Sequence, residues 1–190
     1  SNYKRKYRYQ GNVNISYSSL KSGNTLVGDK TDRRDFFIRW KHLQDTKANL
    51  NRRFSVNINA GSSTYQQNNS FSDKDYLSNT FQSNLSYLRN WKSANMSINI
   101  RHSQNTLSKQ LNLSLPVMSL NFNRFYPLKR FNKTNKSKWY DKLYINYTTN
   151  FKNSISIADS LLFQRSALTK FRNGVMHNIP ISTSFTALKY

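Results

Sequence analysis

The chain has 190 residues, with 30 Lys and Arg set against 8 acids, all of them Asp, for a net charge of +22. It has no Cys, which excludes a disulfide framework and a thiolate zinc site, and no apolar run that approaches the ~18 residues of a transmembrane helix. Glu is absent, Asn and Ser stand at 26 each and Phe and Tyr at 12 each, a composition that leans away from helix and toward sheet.

The N-terminal "SNYKRKYRYQ" is basic but has no apolar stretch behind it, so it does not read as a signal peptide. In the first strand segment, "YRYQGNVNISY", Tyr7, Tyr9, Val13, Ile15 and Tyr17 share one face and Arg8, Gln10, Asn12, Asn14 and Ser16 the other. A polar loop, "SGNTLVGDKTDRRD", precedes "FFIRWKH", where Phe36, Ile38 and Trp40 oppose Arg39 and Lys41. After the turn "QDTKANLN", Phe54, Val56, Ile58 and Ala60 oppose Arg53, Ser55, Asn57 and Asn59. A second polar loop, "STYQQNNSFSDKDYLSN", leads to Phe81, Leu85 and Tyr87 against Gln82, Asn84 and Ser86. "RNWKS" turns the chain into "ANMSINIRH", with Ala94, Met96, Ile98 and Ile100 against Asn95, Ser97, Asn99 and Arg101.

Leu111, Leu113 and Leu115 alternate next, and Pro116, which cannot donate to a ladder, is expected to end that strand. The pattern resumes with Met118, Leu120 and Phe122, breaks at the basic loop "PLKRFNKTNKSK", and returns with Leu143, Ile145, Tyr147 and Phe151. "SISIADSLLFQRSALTKFRN" reads as a strand edge followed by a loop, and Ile179, Ile181 and Phe185 mark a last strand in "NIPISTSFTAL".

This period-2 pattern predicts about nine strands of roughly 8–12 residues. Globular strands run ~5–6 residues, whereas strands of membrane barrels need ~9–11. Tight turns alternate with long polar loops, and aromatics stand near strand ends (Tyr17, Trp40, Tyr87, Trp91, Phe125, Tyr126, Trp139, Tyr140), as in the two interfacial girdles of such barrels. The expected fold is therefore all-β, an antiparallel up-and-down transmembrane β-barrel segment with its apolar face to lipid and its Asn/Ser/Arg face to water. The competing architecture is a soluble sandwich, whose strands also alternate but are usually shorter. With about nine strands, no targeting signal and an alternating run still open at "STSFTALKY", residues 1–190 are expected to be part of one barrel domain cut from a larger barrel.

No catalytic constellation is visible. His42, His102 and His177 have neither metal-ligand spacing nor a nearby Glu, so rim or lumen hydrogen bonding is the expected role. Asp29, Asp32, Asp73 and Asp75 are scattered, mostly in loops, and "DKTDRRD" lacks the Gly and Glu of a calcium loop, which favours local salt bridges. No cofactor, metal or enzyme activity is expected. The excess positive charge suits a polyanion: nucleic acid, anionic lipid or a phosphorylated glycolipid. Two basic clusters stand out, Lys4, Arg5, Lys6 and Arg8, and Lys129, Arg130, Lys133, Lys136 and Lys138. Arg39, Lys41, Arg53, Arg89 and Arg101 lie on or near the polar faces. The candidate polyanion contacts are Arg39, Lys41, Arg53, Arg101, Lys129 and Arg130. The plainer reading is charge that keeps rims wet and blocks edge pairing.

Three pieces together resemble a known family: His42 and Gln44 feeding the strand at Phe54, with the loop Ser62 to Tyr65; "HSQN" before a Leu-alternating strand ending in Leu-Pro; and "FNRFYPLKR" after it. Their order and spacing, over nearly all of the chain, resemble the barrel of the lipopolysaccharide-assembly family LptD in its Bacteroidetes version. The resemblance implies a larger, plugged barrel in the bacterial outer membrane. By the resemblance, the family's periplasmic jelly-roll domain and barrel-closing strands are expected to lie outside residues 1–190. The implied partners are lipopolysaccharide, outer-membrane lipid, a plug lipoprotein and periplasmic bridge proteins. The implied function is non-enzymatic insertion of lipopolysaccharide into the outer leaflet. Disulfide-gated maturation, a property of the family in other phyla, does not carry over to a chain without Cys. Two alternatives are another large outer-membrane transporter or translocon barrel, and a soluble basic β-protein that stacks nucleic-acid bases on its aromatics. The second is disfavoured because the aromatics fall mostly on the apolar face, so no nucleic-acid partner is expected.

Overall fold

The computed structural model describes residues 1–23, 31–69, 79–132, 138–162 and 164–184. Ten strands form a single antiparallel sheet: β1 (Asn2–Arg5), β2 (Tyr9–Ser22), β3 (Thr31–Gln44), β4 (Arg52–Gly61), β5 (Thr80–Asn90), β6 (Ala94–Asn105), β7 (Gln110–Phe125), β8 (Tyr144–Ala158), β9 (Arg172–Asn178) and β10 (Ile181–Ser182). Each strand through β8 pairs with its sequence neighbours, and β9 and β10 both pair with β8. This is the up-and-down order expected. The only helices with α geometry among the described residues are α1 (Tyr65–Asn69) and α2 (Arg165–Leu168). Neither is long and apolar enough to cross a membrane.

The register puts most of the apolar residues on one face. Ile15, Ile38 and Ala60 are successive register partners, as are Val13, Trp40 and Ile58. Further along, Tyr87, Ile98, Met118 and Phe151 form another such row. A one-residue slip anywhere would send a strand's whole apolar set to the other face, so these pairings are strongly specified. Only eight apolar residues are buried among those described, and large ones stand open on this face: Ile15 is 68% exposed and Tyr17 66%. In water a single-layer sheet has nothing to bury such a face against; in lipid it needs no partner.

Strand tilt agrees with this reading. Asn12, Lys41, Asn57, Asn84, Arg101, Ser114, Ser154 and Arg172 form one unbroken row of register partners from β2 to β9. Call the rim that carries the β1–β2 turn the first rim. Measured from each strand's end there, the row lies three residues in on β2 (Tyr9 to Asn12) and ten residues in on β8 (Tyr144 to Ser154). Seven residues gained over six steps is about 1.2 residues, or roughly 4 Å, per ~4.8 Å step, a tilt of about 40°. Closed barrels run at 35–45°. At that tilt the stretch from Tyr9 to Tyr17 spans about 20 Å along the barrel axis, close to the ~25 Å apolar band of an outer-membrane barrel.

Several expectations need correction. Tyr7 is not in the first strand but on the β1–β2 turn, with φ 60°. β2 and β3 run further into the flanking polar stretch than the pattern indicated, to Ser22 and from Thr31. Pro116 does not end a strand. β7 continues through it, and Leu115 and Pro116 form a bulge, skipped by the pairing to both neighbours. Bulges tolerate Pro because the ladder is already interrupted there. The side-chain amide of Asn153 takes over one lost bond, donating to the Leu115 carbonyl at 2.9 Å. The bulge also explains why the apolar positions change parity, from Leu111 and Leu113 to Met118, Leu120 and Phe122.

The last strand is likewise not "NIPISTSFTAL". Arg172–Asn178 and Ile181–Ser182 pair with β8 instead, and Phe185 lies outside the described residues. The alternation of turns and loops is only partial: the first rim carries turns at 6–8, 45–51 and 91–93 but also the long connection 126–143, and the second rim has the tight turn 106–109.

An aromatic belt follows the first rim on the apolar face. The Trp40 indole donates to the Tyr3 hydroxyl at 2.9 Å, which also hydrogen-bonds His42 Nδ1 at 2.9 Å. Tyr9 and Phe54 lie 5.7 and 5.5 Å from the His42 ring. Tyr3 holds β1 down across Gly11, where an added Cβ would overlap its ring and sit 2.7 Å from the Lys41 carbonyl oxygen. Gly11→Ala is therefore expected to cost about 1–3 kcal/mol. It should also free β1, seen as a lower unfolding midpoint and altered Trp40 fluorescence; an unchanged spectrum would count against the strap.

Candidate functional site: the polar face

Opposite the apolar face, alternation leaves a surface of Asn, Ser, Thr, Lys and Arg. Leu20, Phe37, Leu43, Leu88, Val117 and Met176 are among its apolar exceptions. Asn side chains bridge strands across it: Asn121 donates to Asn95 at 2.9 Å and Asn12 to Asn2 at 2.6 Å. Such neighbours satisfy one another or water and leave a hydrated wall.

Lys41 and Arg101 lie in the transverse row, with Arg172 at its far end. Each cation is three strand-to-strand steps from the next, roughly 14 Å at ~4.8 Å per step. Around Arg101 the face opens into a shallow groove of about 360 Å³ lined by Asn57, Asn84, Ser103, Asn112 and Ser114 among others. Arg39 sits one row over, between Asn14 and Asn59, with its guanidinium 5.4 Å from the Phe37 ring.

The two ion pairs among the described residues are both near the second rim of β3: Arg34 with Asp32 at 3.0 Å and Arg33 with Asp35 at 3.5 Å. The expectation of local salt bridges in "DKTDRRD" is met there; Asp29, Asp73 and Asp75 lie outside the described residues. Arg39, Lys41 and Arg101 thus have no carboxylate partner among the described residues. Asp35 is the one acid on this face among the described strand residues, and Arg33 pairs with it, so these three cations remain open to anions.

The other sequence candidates are not gathered here. Arg53 is on the same face but at the first rim, in a groove with Lys4, Arg5 and Asp45. Lys129 and Arg130 are in a 3-10 helix of the 126–143 connection, with Lys129 6.0 Å from the Tyr126 ring. Lys133 and Lys136 lie outside the described residues. Arg89, expected on or near a polar face, pairs with Met96 and Arg52 and so falls on the apolar face. All three His also belong to that face: His42 and His177 bond tyrosine hydroxyls and His102 bonds Ser83 at 3.2 Å. Sequence reading missed Lys152, one residue past Phe151 in β8, and Arg172, because "TKFRN" carries no alternation to mark it as a strand.

A second feature of the polar face is a folded loop at the second rim. The Asp35 carboxylate, 1% exposed, accepts from Thr64 at 2.6 Å, Asn68 at 3.1 Å, Ser62 at 3.2 Å and Asn69 at 3.3 Å. Tyr65 of α1 stacks on Phe37 at 5.0 Å, and Phe81 packs against Phe37 at 5.4 Å. Residues 62–69 therefore cover part of the polar face. Across the sheet, α2 does the reverse: Ala167 packs on Leu111, Ile155 and Ile157 of the apolar face, at the second rim.

A tilted, single-layer antiparallel meander with one apolar face and one cationic, acid-poor face has the form of a β-barrel segment. No curated protein matches the chain. The family model described as LptD protein matches it over residues 1–190, all of it, in accord with the motifs and their order. The chain belongs to the LptD protein family.

Proposed function

We propose that this chain forms one arc of a larger outer-membrane barrel that inserts lipopolysaccharide into the outer leaflet, in the manner of the Bacteroidetes members of its family. The family's work is lipopolysaccharide transport and assembly at the outer membrane. In the proposal the sugar chain crosses along the polar face while the acyl chains leave sideways into the membrane. The observation that carries it is the row from Asn12 to Arg172: a neutral, hydrogen-bonding surface with cations at wide intervals and no acid. Such a surface offers a sugar many weak partners and its phosphates a few attractive points, so cargo is held without being trapped.

Arg39, Lys41, Arg53 and Arg101 are the proposed polyanion contacts along the wall, with Lys129 and Arg130 at the rim. No covalent step is needed, so no enzyme activity and no cofactor are proposed, and no nucleic-acid partner. A plug lipoprotein and periplasmic bridge proteins are the proposed protein partners. A third face of the proposal is incompleteness of the sheet: the outer edges of β1 and of β9 and β10 pair with nothing among the described residues, and further strands would close them.

A photo-crosslinking residue at Asn84, between Asn57 and Arg101 in the row, is expected to trap lipopolysaccharide in growing cells. The adduct should vanish when export is blocked upstream. An assembled barrel that yields no adduct at Asn84 would overturn the proposal.

A further inference from the structure

The cations of the first rim are paired with aromatic rings. Lys6 and Lys47 each lie 5.1 Å from the Tyr7 ring, Arg89 5.0 Å from Trp91, Arg124 4.7 Å from Tyr144, and Lys138 5.5 Å from Tyr140. Among them one place is unusual. Arg52 and Arg89 are direct register partners on the apolar face, one step outward from the partners Phe54 and Tyr87. Like charges directly opposite each other disfavour a sheet. Here no acid offsets them: the adjoining groove, about 580 Å³, is lined by Asn49, Asn51, Arg52, Arg89, Trp91 and Lys92 among others, none of them acidic. Trp91, 41% exposed, stands at the same level.

We infer that this groove binds the phosphate of an anionic phospholipid from the surrounding membrane. Two facing guanidiniums fit the oxygens of a phosphate diester, which would relieve their mutual repulsion. Trp91 stands where indoles sit among headgroups. The apolar face continues inward from the same spot through Phe54, Tyr87 and Ile98, where acyl chains would lie. A soluble phosphate would use only the outer half of this arrangement; a lipid uses both. The inference depends on the apolar face meeting lipid, which cysteine labelling of the two faces reads separately, and not on which cargo the barrel carries.

The test uses the complete barrel in phosphatidylcholine nanodiscs doped with phosphatidylglycerol. The readout is the phosphatidylglycerol retained when the protein is released and weighed by native mass spectrometry. The wild type should retain it, and R52Q/R89Q should retain roughly tenfold less. R165Q/K170Q removes the same charge from exposed positions at the second rim and should retain as much as wild type. If the double variant does not assemble, Arg89→Gln alone, which relieves the like-charge contact, should still show a several-fold loss. Equal retention by R52Q/R89Q and wild type would overturn the site. So would an equal loss in R165Q/K170Q, which would reduce the effect to net charge. Full displacement by soluble glycerol phosphate would show a free-phosphate site and overturn the lipid assignment.

Discussion

Ile98→Arg is expected to block assembly of the barrel, while Asn99→Arg leaves it intact. The two residues are adjacent on β6, and strand geometry sends them to opposite faces. Ile98 has Tyr87 and Met118 as register partners; Asn99 has Ser86 and Val117. An Arg on the lipid face near the bilayer midplane costs about 2–4 kcal/mol. The same side chain on the polar face stays in water and joins Lys41 and Arg101. Cysteine labelling gives an independent reading in intact membranes. A Cys at Asn99 should react with a water-soluble maleimide and a Cys at Ile98 should not. Equal labelling, or the reverse order, would sink the assignment of faces and the membrane-barrel reading with it.

Phe81→Ala should cost about 3–5 kcal/mol, the usual range for emptying a buried aromatic site. Phe81 is fully buried, and its loss removes the support under the Phe37–Tyr65 stack. Residues 62–69 would then be held over the polar face mainly by the Asp35 hydrogen bonds and those between Ser62 and the Phe36 backbone. Urea unfolding in lipid vesicles should show the lost stability. Limited proteolysis should show faster cleavage in 62–69 while β6 and β7 stay protected. A variant as stable as wild type, with 62–69 equally resistant, would mean that this small core does not anchor the loop.

Much of the fold is legible in single strands. "ANMSINIRH" shows two faces because a strand has a period of two, and that period is a local property of the chain. The family could be read in the same way, from the order of short motifs. The errors came where local signals and pairing part company. Pro116 looks like a terminator because it lacks a donor, yet the sheet passes through it, since β6 and β8 both skip that position and Asn153 supplies a bond. Arg172–Asn178 looks like a loop because an edge strand with Gly174, Met176 and His177 has no alternation, and only β8 makes it a strand.

By itself the sequence determined the fold class, the two faces of each long strand and the absence of a helical span. These depend on neighbours two residues apart. Only the tertiary structure decided which residues of different strands share a level. Lys41 and Arg101 fall in one row, Arg39 beside it, Arg53 at the rim and Lys129 and Arg130 beyond it. Arg52 and Arg89 meet face to face. That level is set by hairpin register, the bulge at Leu115 and Pro116 and the tilt of the sheet. Each is a relation between strands, and the spacing of residues within one strand does not contain it.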